Sequence, residues 1–144
     1  MPATSSVLSL DVGSKRIGIA IASRAAGLPR PLVTLIHGEN FANQLRDIMS
    51  TENVDTIIVG LPRNLSGKST VQTAASETFA EQLRQQFPNI KIDFQDEALT
   101  SKQAEAELQR RGKSYQKADI DALAAVYILE DWLANQSLVG KVSL

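Results

Sequence analysis

The sequence predicts an α/β fold in which helices cover a mixed five-stranded sheet. Two alternating segments, 7–12 and 16–22, are separated by a three-residue turn, which predicts a β-hairpin. After them, apolar strand-like runs alternate with segments of helical periodicity, the arrangement of β-α units in α/β proteins. No internal repeat or linker divides the 144 residues. We therefore expect one domain over residues 1–144, with short tails at both ends.

Five segments have the character of strands: 7–12, 16–22, 32–36, 56–59 and 90–95. The third is the weakest of them and follows a loop that contains Pro29 and Pro31. The fourth is a continuous apolar run, which is typical of a central strand with both faces covered. The segment 60–69 that follows it is predicted to be a loop.

Four segments are predicted to be helices. In chain order, they start behind Asn40, span apolar positions from Val71 to Phe87, extend from Thr100 to Gly112, and run over 118–135. Asn40 is a favourable N-cap, Thr100 stands three residues before Gln103 with the spacing of a capping box, and Gly112 fits a helix end. The nearly all-apolar stretch 127–133 is expected to lie in the core. The resulting order, β-β-β-α-β-α-β-α-α, leaves the order of strands within the sheet open.

Composition excludes several classes of function. The chain has no cysteine and one histidine, which excludes thiolate zinc sites, iron–sulfur clusters and sites built from several histidines. That histidine, His37, ends the third strand and is expected to be a turn or surface residue. The net charge of −1 argues against a protein that coats nucleic acid through bulk charge, although a local basic patch could still bind phosphates. No apolar run approaches ~18 residues and the N-terminus lacks a secretory signal, so we expect a cytoplasmic protein without a membrane segment.

Three carboxylates stand where an acidic side chain is unexpected. Asp11 lies in the first strand among apolar neighbours, although Asp is depleted in strands and costly to bury unpaired. Glu97 follows Asp96 at the end of the last strand, and α/β sheets bind ligands at strand ends. Asp121 shares a small apolar helix face that should pack on the sheet. Each also has a structural interpretation: Asp11 could cap the hairpin turn, and Glu97 or Asp121 could interact with a helix N-terminus.

If the fold brings Asp11, Glu97 and Asp121 together, their repulsion requires a counter-ion. Carboxylate oxygens without His or Cys ligands favour Mg²⁺ or Mn²⁺ rather than zinc. One or two such ions, with open positions for phosphate oxygens, perform phosphodiester hydrolysis in many enzymes. In that case these three acids would be both metal ligands and catalytic residues.

Basic and polar side chains near these acids are candidates for binding substrate phosphates: Lys15, Arg16, Arg63, Asn64, Lys68 and Lys117. The segment 60–69 ends in Gly-Lys-Ser, as a nucleotide-binding P-loop does, but Pro62 stands where that motif requires its first glycine. We therefore expect Arg63, Asn64 and Lys68 to contact the phosphates of a polymeric substrate rather than those of a nucleotide.

Four segments in this order resemble the YqgF family: 10–20 (LDVGSKRIGIA), 59–67 (VGLPRNLSG), 96–101 (DEALTS) and 117–129 (KADIDALAAVYIL). The resemblance covers about residues 7–134. It implies a ribonuclease H-like fold, activity on precursor 16S rRNA or on Holliday junctions, and an acidic triad formed by Asp11, Glu97 and Asp121. The family usually has Arg after the Asp-Glu pair, where this chain has Ala98. If that Arg positions substrate, then Arg63 or Lys102 must replace it or activity is weak.

The sequence favours structured RNA as the substrate, because the net charge is mild and no basic dimer face is evident. Branched DNA is the alternative, and a junction resolvase should be a dimer, so both a monomer and a homodimer remain open. The Asp-x-Gly-Ser segment also resembles the first phosphate loop of actin-like ATPases, but those enzymes need a second such domain. A non-catalytic nucleic-acid-binding module should have lost one of the three acids, and all three are present.

Overall fold

A mixed five-stranded sheet forms the centre of the molecule, as the sequence predicts. The computed structural model describes residues 5–63, 68–97, 100–112 and 114–142. The strands are β1 (Ser6–Val12), β2 (Arg16–Ser23), β3 (Arg30–Ile36), β4 (Val54–Pro62) and β5 (Lys91–Glu97). They lie in the order β3-β2-β1-β4-β5, with β1 in the middle. The hairpin strands β1, β2 and β3 pair antiparallel, whereas β1, β4 and β5 run parallel.

Four helices complete the fold: α1 (Phe41–Thr51), α2 (Val71–Gln86), α3 (Thr100–Arg111) and α4 (Lys117–Val142). The apolar residues of α1 and α2 pack on one face of the sheet, against side chains such as Leu10 and Ile57. The other face packs against α4 and against Ala104 of α3. Among the described residues, no helix combines the length and the apolar character needed to cross a membrane.

The structure differs from the predicted elements in three places: the end of β4, the cap of α1 and the length of α4. Residues 60–62 are not loop, because β4 continues beside β5 until Pro62 pairs with Glu97. Asn40 does not cap α1 through its side chain: its backbone is helical, with φ −86° and ψ −6°, rather than extended as in an N-cap. The helix α4 continues past 135 to Val142. The predicted cap at Thr100 involves side chains outside the described part of the chain.

The helix α4 lies across all five strands and places one turn over each. From β3 to β5, in sheet order, the contacts pair Thr34 with Ala118, Gly18 with Asp121, Ser9 with Ala125, Gly60 with Ile128, and Asp93 with Trp132. Steps of three or four residues along a helix correspond to about 5 Å of rise, which matches the ~4.8 Å spacing between neighbouring strands. The helix axis therefore runs across the strands rather than along them.

Two of these contacts depend on glycine. A Cβ atom at Gly18 would overlap the backbone carbonyl oxygen of Asp121, and one at Gly60 would overlap the side chain of Ile128. At Gly18 the obstacle is backbone, which cannot rotate away. The hydroxyl of Ser9 adds a buried hydrogen bond of 2.6 Å to the carbonyl oxygen of Ala125. Small residues on β1, β2 and β4 thus let the helix approach the sheet closely.

We expect Gly18→Ala to push α4 away from β2 and to destabilise the protein. Overpacking of this kind costs about 1–3 kcal/mol, and each kcal/mol corresponds to roughly 2–4 °C in melting temperature for a chain of about this size. The control is Gly38→Ala, because a Cβ atom there meets nothing within 4 Å. Thermal melts of both variants test the contact, and equal melting temperatures would contradict it.

Candidate active site

The predicted acids lie at one edge of the sheet, on the face that α4 covers. Parallel strands bring their carboxyl ends to the same edge, so the ends of β1, β4 and β5 are neighbours. Side chains alternate between the two faces of a strand. Ser9 contacts α4, so Asp11 two residues later faces the helix as well. On β5, Asp93 contacts α4 and Glu97 stands four residues later, again on the helix side.

The close contact between α4 and β2 brings Asp121 next to Asp11. Asp11 pairs with Gly18 across the hairpin, and Gly18 touches the backbone of Asp121. Burial and the negative charge of Asp121 raise the pKa of Asp11 to about 6. No described residue donates a hydrogen bond to the Asp11 carboxylate. The structure thus confines two acids to one site and leaves one of them without a donor from the described residues.

A basic side chain partly neutralises this pair. Arg16, the first residue of β2, donates a hydrogen bond from Nε to Oδ2 of Asp121 over 2.6 Å. The ion pair is only partly exposed, with side-chain accessibilities of 32% for Arg16 and 18% for Asp121. It is therefore stronger than an ion pair in open water, because partial burial reduces screening.

Glu97 lies at the same edge but has other neighbours. Burial, a hydrogen bond with Asp131, and the charges of Asp131 and Asp96 raise the pKa of Glu97 to about 9. Its Oε1 atom is buried and has no hydrogen-bond partner. Asp131 follows Asp121 by ten residues on α4, about 15 Å along the helix. At neutral pH Glu97 is therefore protonated and donates a hydrogen bond to Asp131.

The structure therefore brings together two of the three predicted acids. Within the described ranges, no three His, Asp or Glu side chains are placed to share one metal ion. Asp131 was missed because it lies in the stretch 127–133, which the sequence assigns to the core. Trp132 beside it is indeed buried, whereas Asp131 is exposed. The acidic pair Glu130-Asp131 within an apolar run was the available signal.

Of the predicted phosphate-binding residues, those on the hairpin and on α4 lie near Asp11 and Asp121. Lys15 is exposed in the turn between β1 and β2. Lys117 is exposed at the start of α4, four residues before Asp121 and so on the same side of the helix. His37 donates a hydrogen bond from Nδ1 to the carbonyl oxygen of Gly13 over 2.7 Å. It is an exposed residue that holds the turn, as the sequence predicts.

One further candidate, Arg63, lies beside Glu97. The backbone N–H of Arg63 donates to the carbonyl oxygen of Glu97 over 2.8 Å, and its guanidinium pairs with Asp96 at 3.1 Å. Lys68 is exposed beyond β4. Asn64 and Ala98 lie outside the described residues. Arg63 thus lies beside Asp96 and Glu97, whereas Arg16 pairs with Asp121.

The donor set at Asp11 and Asp121 fits a hard divalent cation. Mg²⁺ commonly binds through one or two carboxylates and keeps its other positions for water and phosphate oxygens. The two acids supply two such carboxylates, and that of Asp11 receives no hydrogen bond from the described residues. These two residues are therefore the ones that could hold Mg²⁺ or Mn²⁺.

Comparison with known proteins gives a consistent result. A family model described as "RuvX: Holliday junction resolvase" matches residues 5–135. A protein of Sulfurihydrogenibium sp. (strain YO3AOP1), named "Putative pre-16S rRNA nuclease", is 35% identical over 140 residues, covering 96% of this chain and 97% of its own. A protein of the same name from Thermosynechococcus vestitus is 39% identical, covering 96% of this chain and 94% of its own.

Solved structures show the same fold at lower identity. The fowlpox virus resolvase in complex with Holliday junction DNA superposes with a TM-score of 0.52 at 15% identity, covering 91% of this chain and 98% of its own. RuvC of T. thermophilus in complex with a Holliday junction substrate also gives 0.52 at 15% identity, with 92% and 96% covered. The fold is ribonuclease H-like, as the sequence resemblance implies.

The raised pKa values make stability depend on pH in a defined direction. The pKa of Glu97 is about 9 in the folded chain against an ordinary 4.5, so the folded state binds the extra proton. Its contribution to stability is full below pH 4.5 and is lost as pH rises to 9. In chelator, the unfolding free energy of wild type should therefore fall between pH 5 and 9, and Glu97→Gln should flatten that fall. Urea titrations measure it, with Glu77→Gln as the control because Glu77 is an exposed residue of α2. Parallel curves for wild type and Glu97→Gln would refute the assignment.

Proposed function

This chain belongs to the RuvX (YqgF) family, and on that basis we propose that it is a metal-dependent nuclease that processes precursor 16S rRNA. The family and its relatives support hydrolysis of nucleic acid phosphodiester bonds. The observation that carries the proposal is the pairing of Asp11 with Asp121 at the end of the central strand, with basic side chains beside it. RNA is favoured over branched DNA because the relatives at 35% and 39% identity are named for precursor rRNA.

In the proposed site, Asp11 and Asp121 hold Mg²⁺ or Mn²⁺. When bound, such an ion polarises a phosphoryl oxygen and lowers the pKa of a water. Lys15 and Lys117, which are exposed near these acids, would bind phosphates of the substrate and so hold the strand over the acids. Asp11 is partly buried, which keeps bulk water away from its carboxylate and strengthens its attraction for a cation.

We also assign Glu97 a role in binding the substrate, on a separate observation. Its Oε1 atom is buried without a partner, so it can accept a hydrogen bond from a water or a ribose hydroxyl. Arg63, which donates to the Glu97 backbone and pairs with Asp96, stands beside it as a further phosphate contact. Substrate would then extend along the edge from the β1–β2 turn to the end of β5.

The alternative substrate is branched DNA, which the family description favours. A four-way junction requires two active sites in one dimer, whereas an RNA strand requires one. Cleavage of a precursor 16S rRNA fragment and of a matched four-way DNA junction, each with Mn²⁺, separates the two. Faster cleavage of RNA supports the proposal, and cleavage of the junction alone would replace it with a resolvase function.

We expect Asp11→Asn and Asp121→Asn each to reduce cleavage by about 100-fold or more. Loss of a metal ligand removes several kcal/mol of charge stabilisation, and each 1.36 kcal/mol is about tenfold in rate. The double variant should be little worse than either single one, because both residues hold one ion. Glu77→Gln is the matched acid-to-amide control. Wild-type cleavage by the double variant would end the proposal.

Lys15→Ala and Lys117→Ala should weaken binding of RNA and reduce its dependence on salt. Each lost phosphate contact should lower the log–log salt slope by roughly 0.7–0.9. Lys91→Ala is the control, because Lys91 is an exposed residue at the opposite end of β5. Fluorescence anisotropy at several salt concentrations measures the slopes. Equal slopes for Lys15→Ala and Lys91→Ala would show that only total charge matters.

A further inference from the structure

The guanidinium group of Arg16 contacts one of the two proposed metal ligands, Asp121. The Nε atom of Arg16 lies 2.6 Å from Oδ2 of Asp121. This hydrogen bond engages an oxygen atom that would otherwise be available to coordinate a metal ion. Arg16 reaches this position from the first residue of β2, two residues before Gly18, so it faces α4 as Gly18 does. The neighbouring Asp11 receives no hydrogen bond from Arg16.

A guanidinium group and a divalent ion cannot both bind Oδ2 of Asp121. Both are positive, so each weakens the binding of the other to the two carboxylates. Arg16 stabilises the pair of acids when the ion is absent, and binding of the ion requires Arg16 to leave Oδ2. The released side chain would lie beside the exposed Lys15 of the turn, at the edge where phosphates are expected.

We propose that Arg16 is a built-in counter-ion that competes with the metal for Asp121 and, when displaced, binds a phosphate group of the nucleic acid. The proposal rests on the proposed function, because it assumes a divalent ion at Asp11 and Asp121. It makes metal binding and substrate binding support each other: the ion frees a phosphate-binding arginine, and a phosphate holds that arginine away from Asp121.

The test is the affinity for Mn²⁺ alone, measured by isothermal titration calorimetry on the full chain. Arg16→Gln should bind Mn²⁺ about 5-fold or more tightly than wild type, a coupling of ordinary size. Arg16→Lys keeps the positive charge and should lie closer to wild type. A merely structural role for Arg16 predicts the opposite, because a loosened site binds the ion less well.

Arg24 provides a matched control for loss of an ion pair. It pairs with Asp55 at the same distance, 2.6 Å, and both side chains are again partly exposed. It follows β2 at the other end of the strand, away from Asp11. Arg24→Gln should lower thermal stability as Arg16→Gln does, and leave the affinity for Mn²⁺ unchanged. A rise in affinity in both variants would show a general effect of destabilisation and overturn the proposal.

The second measurement is RNA affinity by fluorescence anisotropy, in chelator and with Ca²⁺ in place of Mn²⁺. The ion should increase the affinity of wild type more than that of Arg16→Gln. Asp11→Asn separates this inference from the proposed function. If Asp11→Asn abolishes Mn²⁺ binding while Arg16→Gln leaves it at wild-type affinity, the inference alone fails. If Asp11→Asn binds Mn²⁺ as wild type does, the metal site itself is wrong and both fail.

Discussion

The close contact between Gly18 and the backbone of Asp121 is the constraint on which the site depends. It lets α4 cross the sheet with one turn over each strand, so that positions along a single helix are matched to different strand ends. Asp121 is thereby held beside Asp11, and Asp131 beside Glu97. An ordinary helix–sheet packing distance would separate these acids. The small residues Ser9, Gly18 and Gly60 are therefore needed for the geometry of the site as well as for packing of the core.

Much of the fold follows from local pattern. Alternation and apolar runs predict all five strands, and the continuous apolar run 56–59 correctly predicts a strand that is covered on both faces. Local pattern does not predict which strands pair. The strand β4 extends to Pro62 because β5 lies beside it, and this neighbour cannot be inferred from residues 60–62 alone. The side-chain cap predicted at Asn40 is also wrong, because the backbone of Asn40 is already helical.

The site is predictable in part. The spacing of Asp121 from Ala124, Ala125 and Ile128 correctly places it on the face that packs against the sheet. Its ion pair with Arg16 and the pairing of Glu97 with Asp131 are not visible in the sequence, because both depend on the direction in which α4 crosses the strands. The sequence also treats the three acids as one group, whereas in the structure Glu97 lies with Asp131, about 15 Å along α4 from Asp121.

The central claim is that Asp11 and Asp121, rather than Glu97 and Asp131, form the metal site. The most direct measurement is the anomalous scattering of Mn²⁺ in crystals of the wild-type protein. The account predicts one ion bound by the carboxylates of Asp11 and Asp121, with Arg16 withdrawn from Asp121. An ion bound between Glu97 and Asp131, with Arg16 still paired to Asp121, would contradict it.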